Sequence, residues 1–367
     1  MSVTSVEHLK TFKEIYPDMI SQTTVGVVDN QATIGEILTG YKGGRTIATD
    51  GGDASMSGSA AEQLFRMVGL DARTINKFDR HPDLQRAMLM AAAEDKGAGD
   101  KTVIARGAQK GSNLTYHAFV TEDYLPVNNG QLITALHNEL PDGARVHKAS
   151  IRNRELMLRI VHPDWYHDLG GGDPALTAIV VRNSEIGQGA LSVRTGVSRL
   201  ACWNTVLSEH PVFEHNHRFL LYSDMERGFR DAIQRLQEVA TVVAAALKAM
   251  KDVGVSDVQA MMRAMSGEMG LPSYVQEGAI EWWKANGEIP NLFSVAQALT
   301  FGVQKMSGRK NPQWDRREQI EYQVYEMAST FSETGELKLC ECPSCHRPLR
   351  EYVEDGDIID GEFTVND

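Results

Sequence analysis

Three stretches between residues 145 and 201 decide the fold: RVHKASIRNRELMLRIV at 145–161, LTAIVV at 176–181 and ALSVRTGVSRLA at 190–201. Apolar and polar side chains alternate with period two, and Val, Ile, Thr and Leu dominate. This pattern predicts a long strand or bent hairpin over 145–161 and strands over 176–181 and 190–201, the last two joined by a turn containing Gly187 and Gly189. Upstream, Thr102–Arg106 and Thr115–Val120 read as strands and Gln131–Leu140 as a helix. Downstream of 218 the period changes. Phe229, Ile233, Leu236, Ala240, Val243, Leu247 and Met250 follow a 4-3-4-3-4-3 spacing, the apolar stripe of a long helix that serves as core or as a subunit contact. A second helical block spans 256–330, with Met261, Met262, Met265 and Met269 suited to irregular packing.

Toward the N-terminus, Leu9, Phe12 and Ile15 form a modest amphipathic pattern. Gly40-Tyr41-Lys42-Gly43-Gly44-Arg45 and Asp50-Gly51-Gly52-Asp53 lack the Lys-Ser or Lys-Thr of a phosphate-cradling loop and read as flexible surface loop. Ser59-Ala60-Ala61-Glu62 reads as a capping box ahead of Leu64, Phe65, Val68 and Leu70. The expected fold class is therefore α+β: an antiparallel sheet core backed by long helices, then a helical region, a small Cys-rich module and an acidic tail. The segments divide as 1–58 (helix and Gly-rich loop), 59–255 (α+β core), 256–335 (helical), 336–350 (Cys/His module) and 351–367 (acidic, disordered).

Composition sets outer limits. A chain of 367 residues with 42% hydrophobic and 23% charged side chains is globular rather than fibrous or disordered. The longest apolar stretch, Val239 to Leu247, is interrupted by Thr241 and is far short of the roughly 20 residues a membrane span needs. No basic segment followed by an apolar core opens the sequence, so a reducing bacterial-type cytoplasm is expected, with the four cysteines as thiols or metal ligands. The formal charge is -12. More than half of it sits in residues 351–367, where seven acids (Glu351, Glu354, Asp355, Asp357, Asp360, Glu362 and Asp367) meet no base. The sequence contains no His-Glu-x-x-His, Gly-x-Ser-x-Gly, Walker lysine or dinucleotide glycine fingerprint, which argues against a nucleotide-driven motor or a standard hydrolase.

Asn183-Ser184-Glu185-Ile186-Gly187-Gln188-Gly189-Ala190-Leu191 and Arg199-Leu200-Ala201-Cys202-Trp203-Asn204-Thr205 resemble the signature of a phage and plasmid protein family catalogued as domain of unknown function 932. Ala118-Phe119-Val120-Thr121-Glu122-Asp123-Tyr124 with Asn128-Asn129, the stretch Ser57 to Phe78, and the 295–325 helix are similar to further parts of that family. The resemblance covers about residues 55–330. Trp203 stands where the family usually has a small polar residue. The resemblance implies a mobile-element setting in a bacterial cytoplasm. In outline, a strand-rich middle followed by a long helix is also similar to phage single-strand annealing proteins of the RecT, Erf and Sak types.

The chemistry of the middle segment agrees with a polyanionic partner. Within 145–161, Arg145, Lys148, Arg152, Arg154 and Arg159 face only Glu155. By parity, Lys148, Arg152 and Arg154 share one strand face. Arg182, Arg194 and Arg199 extend the charge onto the next strands, and Trp203, Tyr166 and Trp165 offer stacking faces for bases. The alternative is a solvated sheet face with buried aromatics.

Asn183, Ser184 and Glu185 read best as a turn clasp, with Glu185 neutralising a neighbour such as Arg199; the other reading makes Glu185 a metal ligand or general base. His162, Asp164, His167 and Asp168, and His210, Glu214, His215 and His217, have metal-binding types, and His215 and His217 on one strand would present two imidazoles together. Cys340, Cys342, Cys345 and His346 suit tetrahedral zinc, but no second pair follows, so a fourth partner from elsewhere or from another subunit is an open alternative.

The acidic tail serves solubility, or it competes with DNA for the basic groove and recruits replication proteins. The expected function is ATP-independent binding of single-stranded DNA, with strand annealing, by a homo-oligomeric ring or filament held by the 227–250 helix. Lys148, Arg152, Arg154, Arg182, Arg194 and Arg199 would hold phosphates and Trp203 would stack bases. The rivals are a metal-dependent nucleic-acid enzyme and a host-directed protein-binding factor with an acidic, DNA-mimicking surface.

Overall fold

The computed structural model describes residues 6–23, 27–125, 127–152, 154–170, 173–187, 189–200, 205–207, 212–215, 217, 222–286, 289–304 and 314–335. The elements are α1 (Phe12–Thr23), β1 (Val27–Thr33), α2 (Ile34–Thr39), β2 (Tyr41–Gly43), β3 (Thr46–Thr49), β4 (Gly52–Met56), α3 (Gly58–Met67), α4 (Ala72–Asn76), α5 (Pro82–Asp95), β5 (Thr102–Lys110), β6 (Asn113–Thr121) and α6 (Asn129–Glu139). They continue with β7 (Arg145–Arg152), β8 (Glu155–Asp168), β9 (Pro174–Ser184), β10 (Leu191–Arg199), β11 (Thr205–Leu207), β12 (Phe213–His215), α7 (Tyr222–Asp252), α8 (Val258–Glu268), α9 (Ser273–Asn286), α10 (Leu292–Gln304) and α11 (Trp314–Thr334). The class is α+β, with two sheets.

The first sheet has the order β1-β5-β6-β4-β3-β2 and is antiparallel except where β4 runs parallel to β6. Residues 41–56 thus form three strands rather than the flexible loop their glycines suggest. The three strands pair antiparallel with one another, Tyr41 with Ile47 and Thr46 with Ser55, and the end of β4 joins them to the sheet, where Ser55 pairs with Thr115 and Met56 with Tyr116. The helix that follows starts at Gly58, capped by Ser57, whose hydroxyl accepts the Ala60 N–H at 3.1 Å. Ser59 is therefore inside the helix and not its cap. Leu64 and Phe65 of α3 join Ile34, Leu38, Ile75, Leu89, Val103 and Ala105 in one core beneath this sheet.

The second sheet has the order β11-β10-β9-β8-β7, with β12 also paired to β10, and all its pairs are antiparallel. The 145–161 stretch is a hairpin in which β7 turns into β8, and β9 and β10 follow as consecutive antiparallel neighbours. Leu156, Leu158, Ile160, Ile179, Val181, Leu191 and Val193 point to one face and are buried against α1, α6 and the first half of α7 through Phe12, Leu132, Leu136, Met225, Phe229 and Leu236. The second half of α7 contributes Ala240, Leu247 and Met250 to a helical core with Met262, Met265, Met269, Phe293, Leu299 and Val324. The apolar stripe of α7 is thus consumed inside the chain, one end on the sheet and the other on α8–α11. It does not stand free for the ring or filament contact expected of it. Among the described residues, no helix is long and apolar enough to cross a membrane.

Candidate nucleic-acid interface

The register of the second sheet collects the basic residues of the middle segment. Lys148 pairs with Arg159, Arg159 with Val180, and Val180 with Arg194; Arg182 lies on β9 two residues beyond Val180, opposite Met157 on one side and Ser192 on the other. Paired residues point to the same side, and residues two apart on a strand share a face. Lys148, Arg159, Arg182 and Arg194 therefore share the face opposite the helix-covered one, together with the Glu155 carboxylate, which interacts with Arg182. Arg159 is buried and the other three are half-buried. A β-bulge between Val146 and Lys148 sets Lys148 in line with Arg159. Next to it, burial and then the charges of Arg159 and Lys148 push the His147 imidazole down to about 4, a sign of the positive potential there.

Arg154 and Arg199 are engaged inside the fold. Arg154 does not continue the β7 face, because β7 ends at Arg152, paired with Glu155, and Arg154 sits in the hairpin turn at φ 66°. Its Nη1 lies 3.1 Å from Oε2 of Glu185, with the side chains 12% and 4% exposed. Arg199 leaves the patch as well. Its Nε donates to both carboxylate oxygens of Asp173 at 2.8 Å, Lys251 donates to Asp173 at 2.6 Å, and both cations lie over the ring of Phe293. Each of these pairs places a cation on a carboxylate inside the fold, which is the reason to remove Arg154 and Arg199 from a phosphate-binding set. The side chain of Arg152, together with Trp203, Cys340, Cys342, Cys345 and His346, lies outside the described residues.

Glu185 is a structural clasp. One oxygen holds Arg154 and the other accepts the N–H of Asn129, the first residue of α6, at 2.6 Å, where the helix N-terminus favours negative charge. Asn183 donates to Val127 O and to Asn129 Oδ1, each at 2.8 Å, and the Glu185 N–H donates to the Arg154 carbonyl at 3.0 Å. The Tyr124 hydroxyl donates to the Ser184 carbonyl at 2.9 Å, and burial pushes that phenol up to about 12. The Asn-Ser-Glu turn thereby ties the β7–β8 hairpin, the end of β9 and the start of α6 into one knot. The neutralising arginine is Arg154 and not Arg199, a pairing that separation in sequence could not select.

Among the described residues, which leave out His210, the candidate histidines do not converge. His162 Nε2 meets the Asp142 carbonyl at 2.7 Å and His167 Nε2 meets the Thr177 hydroxyl at 2.7 Å. His215 ends β12, whereas His217 follows at φ 58°, so the two do not share a strand face. Among the described residues, no three His, Cys, Asp or Glu side chains come together as a metal site. Sequence reasoning missed a buried arginine: Arg106 is 1% exposed on β5, where it donates to Asn128 Oδ1 and lies 3.8 Å from Asp29. Tyr166, one of the proposed stacking aromatics, is 46% exposed, and Trp165 is packed against the sheet core. Comparisons with protein-family models, with curated proteins and with solved structures return no match to this chain.

Proposed function

We propose that this chain binds single-stranded DNA without nucleotide hydrolysis, using the cationic face of the second sheet, and that it promotes annealing in a phage or plasmid setting. The observation that carries this reading is the register that brings Lys148, Arg159, Arg182 and Arg194 to one face. Salt-dependent affinity for a polyanion comes from such clustered cations and requires no catalytic group. Tyr166, exposed further along β8, pairs with Leu176 and is available to stack an unpaired base.

Arg182 and Arg194 are half-buried, so DNA must compete with whatever else engages them. The acidic segment 351–367, which carries seven carboxylates and no base, is the competitor that charge complementarity selects. Anisotropy of a labelled single-stranded oligonucleotide should therefore show tighter binding by a chain ending at Arg350 than by the full chain. Equal binding by the two would remove the tail from the proposal, and binding by neither would end it. The metal-dependent enzyme is the weaker reading, because both Glu185 oxygens are committed to Arg154 and Asn129.

A further inference from the structure

The edge of a sheet presents a row of backbone donors and acceptors, and folded chains blunt it by shortness, by a covering segment, or by lysine, proline or a bulge. Most edges in this chain follow that rule. β2, β11 and β12 are three residues each. The outer side of β7 is met at its start by the N-terminal segment, where the Val146 N–H donates to the Lys10 carbonyl at 3.0 Å and Thr11 bridges to Arg145. β1 does not follow it. This strand runs seven residues, Val27-Val28-Asp29-Asn30-Gln31-Ala32-Thr33, contains no Lys, Arg or Pro, and pairs with β5 without a register shift. Among the described residues it has no second partner strand, and Asp29, Asn30 and Gln31 are exposed.

The bonds at the end of β1 give the direction of its outer groups. The Ile34 N–H donates to the Lys101 carbonyl at 3.0 Å, on the β5 side, whereas the Thr33 N–H turns away to the Glu36 carboxylate at 2.8 Å. In an antiparallel strand both backbone groups of a residue point to one side, and successive residues alternate. Val27, Asp29 and Gln31 therefore direct their N–H and C=O groups outward.

Register decides which strand fits. A second copy related by a two-fold axis would lie antiparallel, and an axis through Asn30 pairs all seven residues. Asp29 then faces Gln31 of the second copy, Val28 faces Ala32, and no like charges are opposed. An axis through Asp29 would pair only residues 27–31 and set two carboxylates against each other, and one through Gln31 would pair only 29–33. The Gln31 amide nitrogen donates to Glu122 at 2.7 Å and keeps a second hydrogen for the facing carboxylate, while Arg106 lies 3.8 Å from Asp29 and balances its charge. We propose that β1 pairs with β1 of a second copy, joining the first sheets of two chains into one continuous sheet. A contact of this isologous kind closes at two copies and does not build the ring or filament expected from the sequence. It uses no residue of the cationic face and is independent of the strand-binding reading.

Sedimentation velocity of the full chain without nucleic acid, from dilute to concentrated protein, compares the wild type with Q31P, which deletes an outward N–H and leaves the β5 side of the ladder intact. Diamide cross-linking compares N30C with D29C. On the axis, non-hydrogen-bonded neighbours have Cα atoms about 4.5 Å apart, within disulfide reach, whereas a thiol at position 29 faces Gln31 and not its own copy. The expected results are a dimer fraction that rises with concentration and is lost in Q31P, and a covalent dimer from N30C well above the level of the wild type and D29C. A wild type that stays monomeric, or a dimer that Q31P leaves unchanged, would overturn the proposal. If thermal melts show that Q31P does not fold, N30C decides: cross-linking no greater than that of D29C would overturn it as well.

Discussion

Glu185 and Arg154 form an ion pair at 3.1 Å, nine-tenths or more buried on the carboxylate side, where the β7–β8 turn meets the end of β9. Removing one charge of such a pair strands the other, which costs about 3–5 kcal/mol. Glu185→Gln should therefore lower thermal stability by that order in a denaturant or melting experiment, because Arg154 and the Asn129 N–H both lose an anionic acceptor. If Glu185 were instead a catalytic base, the same variant would leave stability close to wild type while abolishing a metal-dependent activity.

The Asp173 carboxylate serves two cations, Arg199 and Lys251, and links β10 to α7 beside the ring of Phe293. Asp173→Ala leaves two partly buried positive charges without their shared partner. A loss of about 3 kcal/mol is expected from urea unfolding, on the scale of other broken buried pairs. Arg199→Ala alone should destabilise less, since Asp173 keeps Lys251. Single-stranded DNA affinity should be unchanged in Arg199→Ala, which separates this residue from the cationic face.

Acid should weaken the fold through two histidines. Burial holds His217 down to about 4, and burial with the neighbouring charges of Arg159 and Lys148 does the same to His147. An unfolded histidine titrates near 6.5. Between about 6.5 and 4 the unfolded chain binds more protons than the folded one, so the stability these groups hold above 6.5 is lost as pH falls. Melting temperature should decline across that window, and the decline should be shallower in His217→Phe than in the wild type. An unchanged slope would mean that His217 is not the buried neutral group described.

Along α7, opposite outcomes are expected for Leu236, within the apolar stripe, and Val242, outside it. Leu236 is 1% exposed in the sheet core, and Leu236→Ala should cost about 2–5 kcal/mol. Val242 is 67% exposed on the same helix, and Val242→Glu should leave both stability and sedimentation unchanged. A shift in sedimentation for Val242→Glu would show that this outer face carries a subunit contact.

How much of this was readable in the sequence depended on where each element finds its partners. The hairpin at 145–161, the strands at 176–181 and 190–201 and the long helix after 218 carry their own periodicity, and they appear as β7–β10 and α7. Residues 41–56 do not, because strands of three to five residues are too short to show a period, and they are held by pairing with one another and, through Ser55 and Met56, with Thr115 and Tyr116 far along the chain. Parity placed Arg154 with Lys148, but the chain leaves the strand at residue 152 and enters positive φ at Arg154. Asp173 as the partner of Arg199, and Arg154 as that of Glu185, are choices of tertiary geometry that no spacing in the sequence records. Period two grouped Lys148 with Arg152 and Arg154 along one strand, whereas the cross-strand register that puts Arg182 and Arg194 on the face of Lys148 is a tertiary fact the sequence does not carry.

The most direct measurement is fluorescence anisotropy of a labelled single-stranded oligonucleotide at two salt concentrations, with the wild type and the double variant R182A/R194A. Loss of two phosphate contacts should weaken binding and reduce the slope of log affinity against log salt by about 1 to 1.5, given roughly 0.7 per contact on a single strand. Binding by the double variant with the wild-type affinity and salt slope would contradict the assignment of this face to nucleic acid.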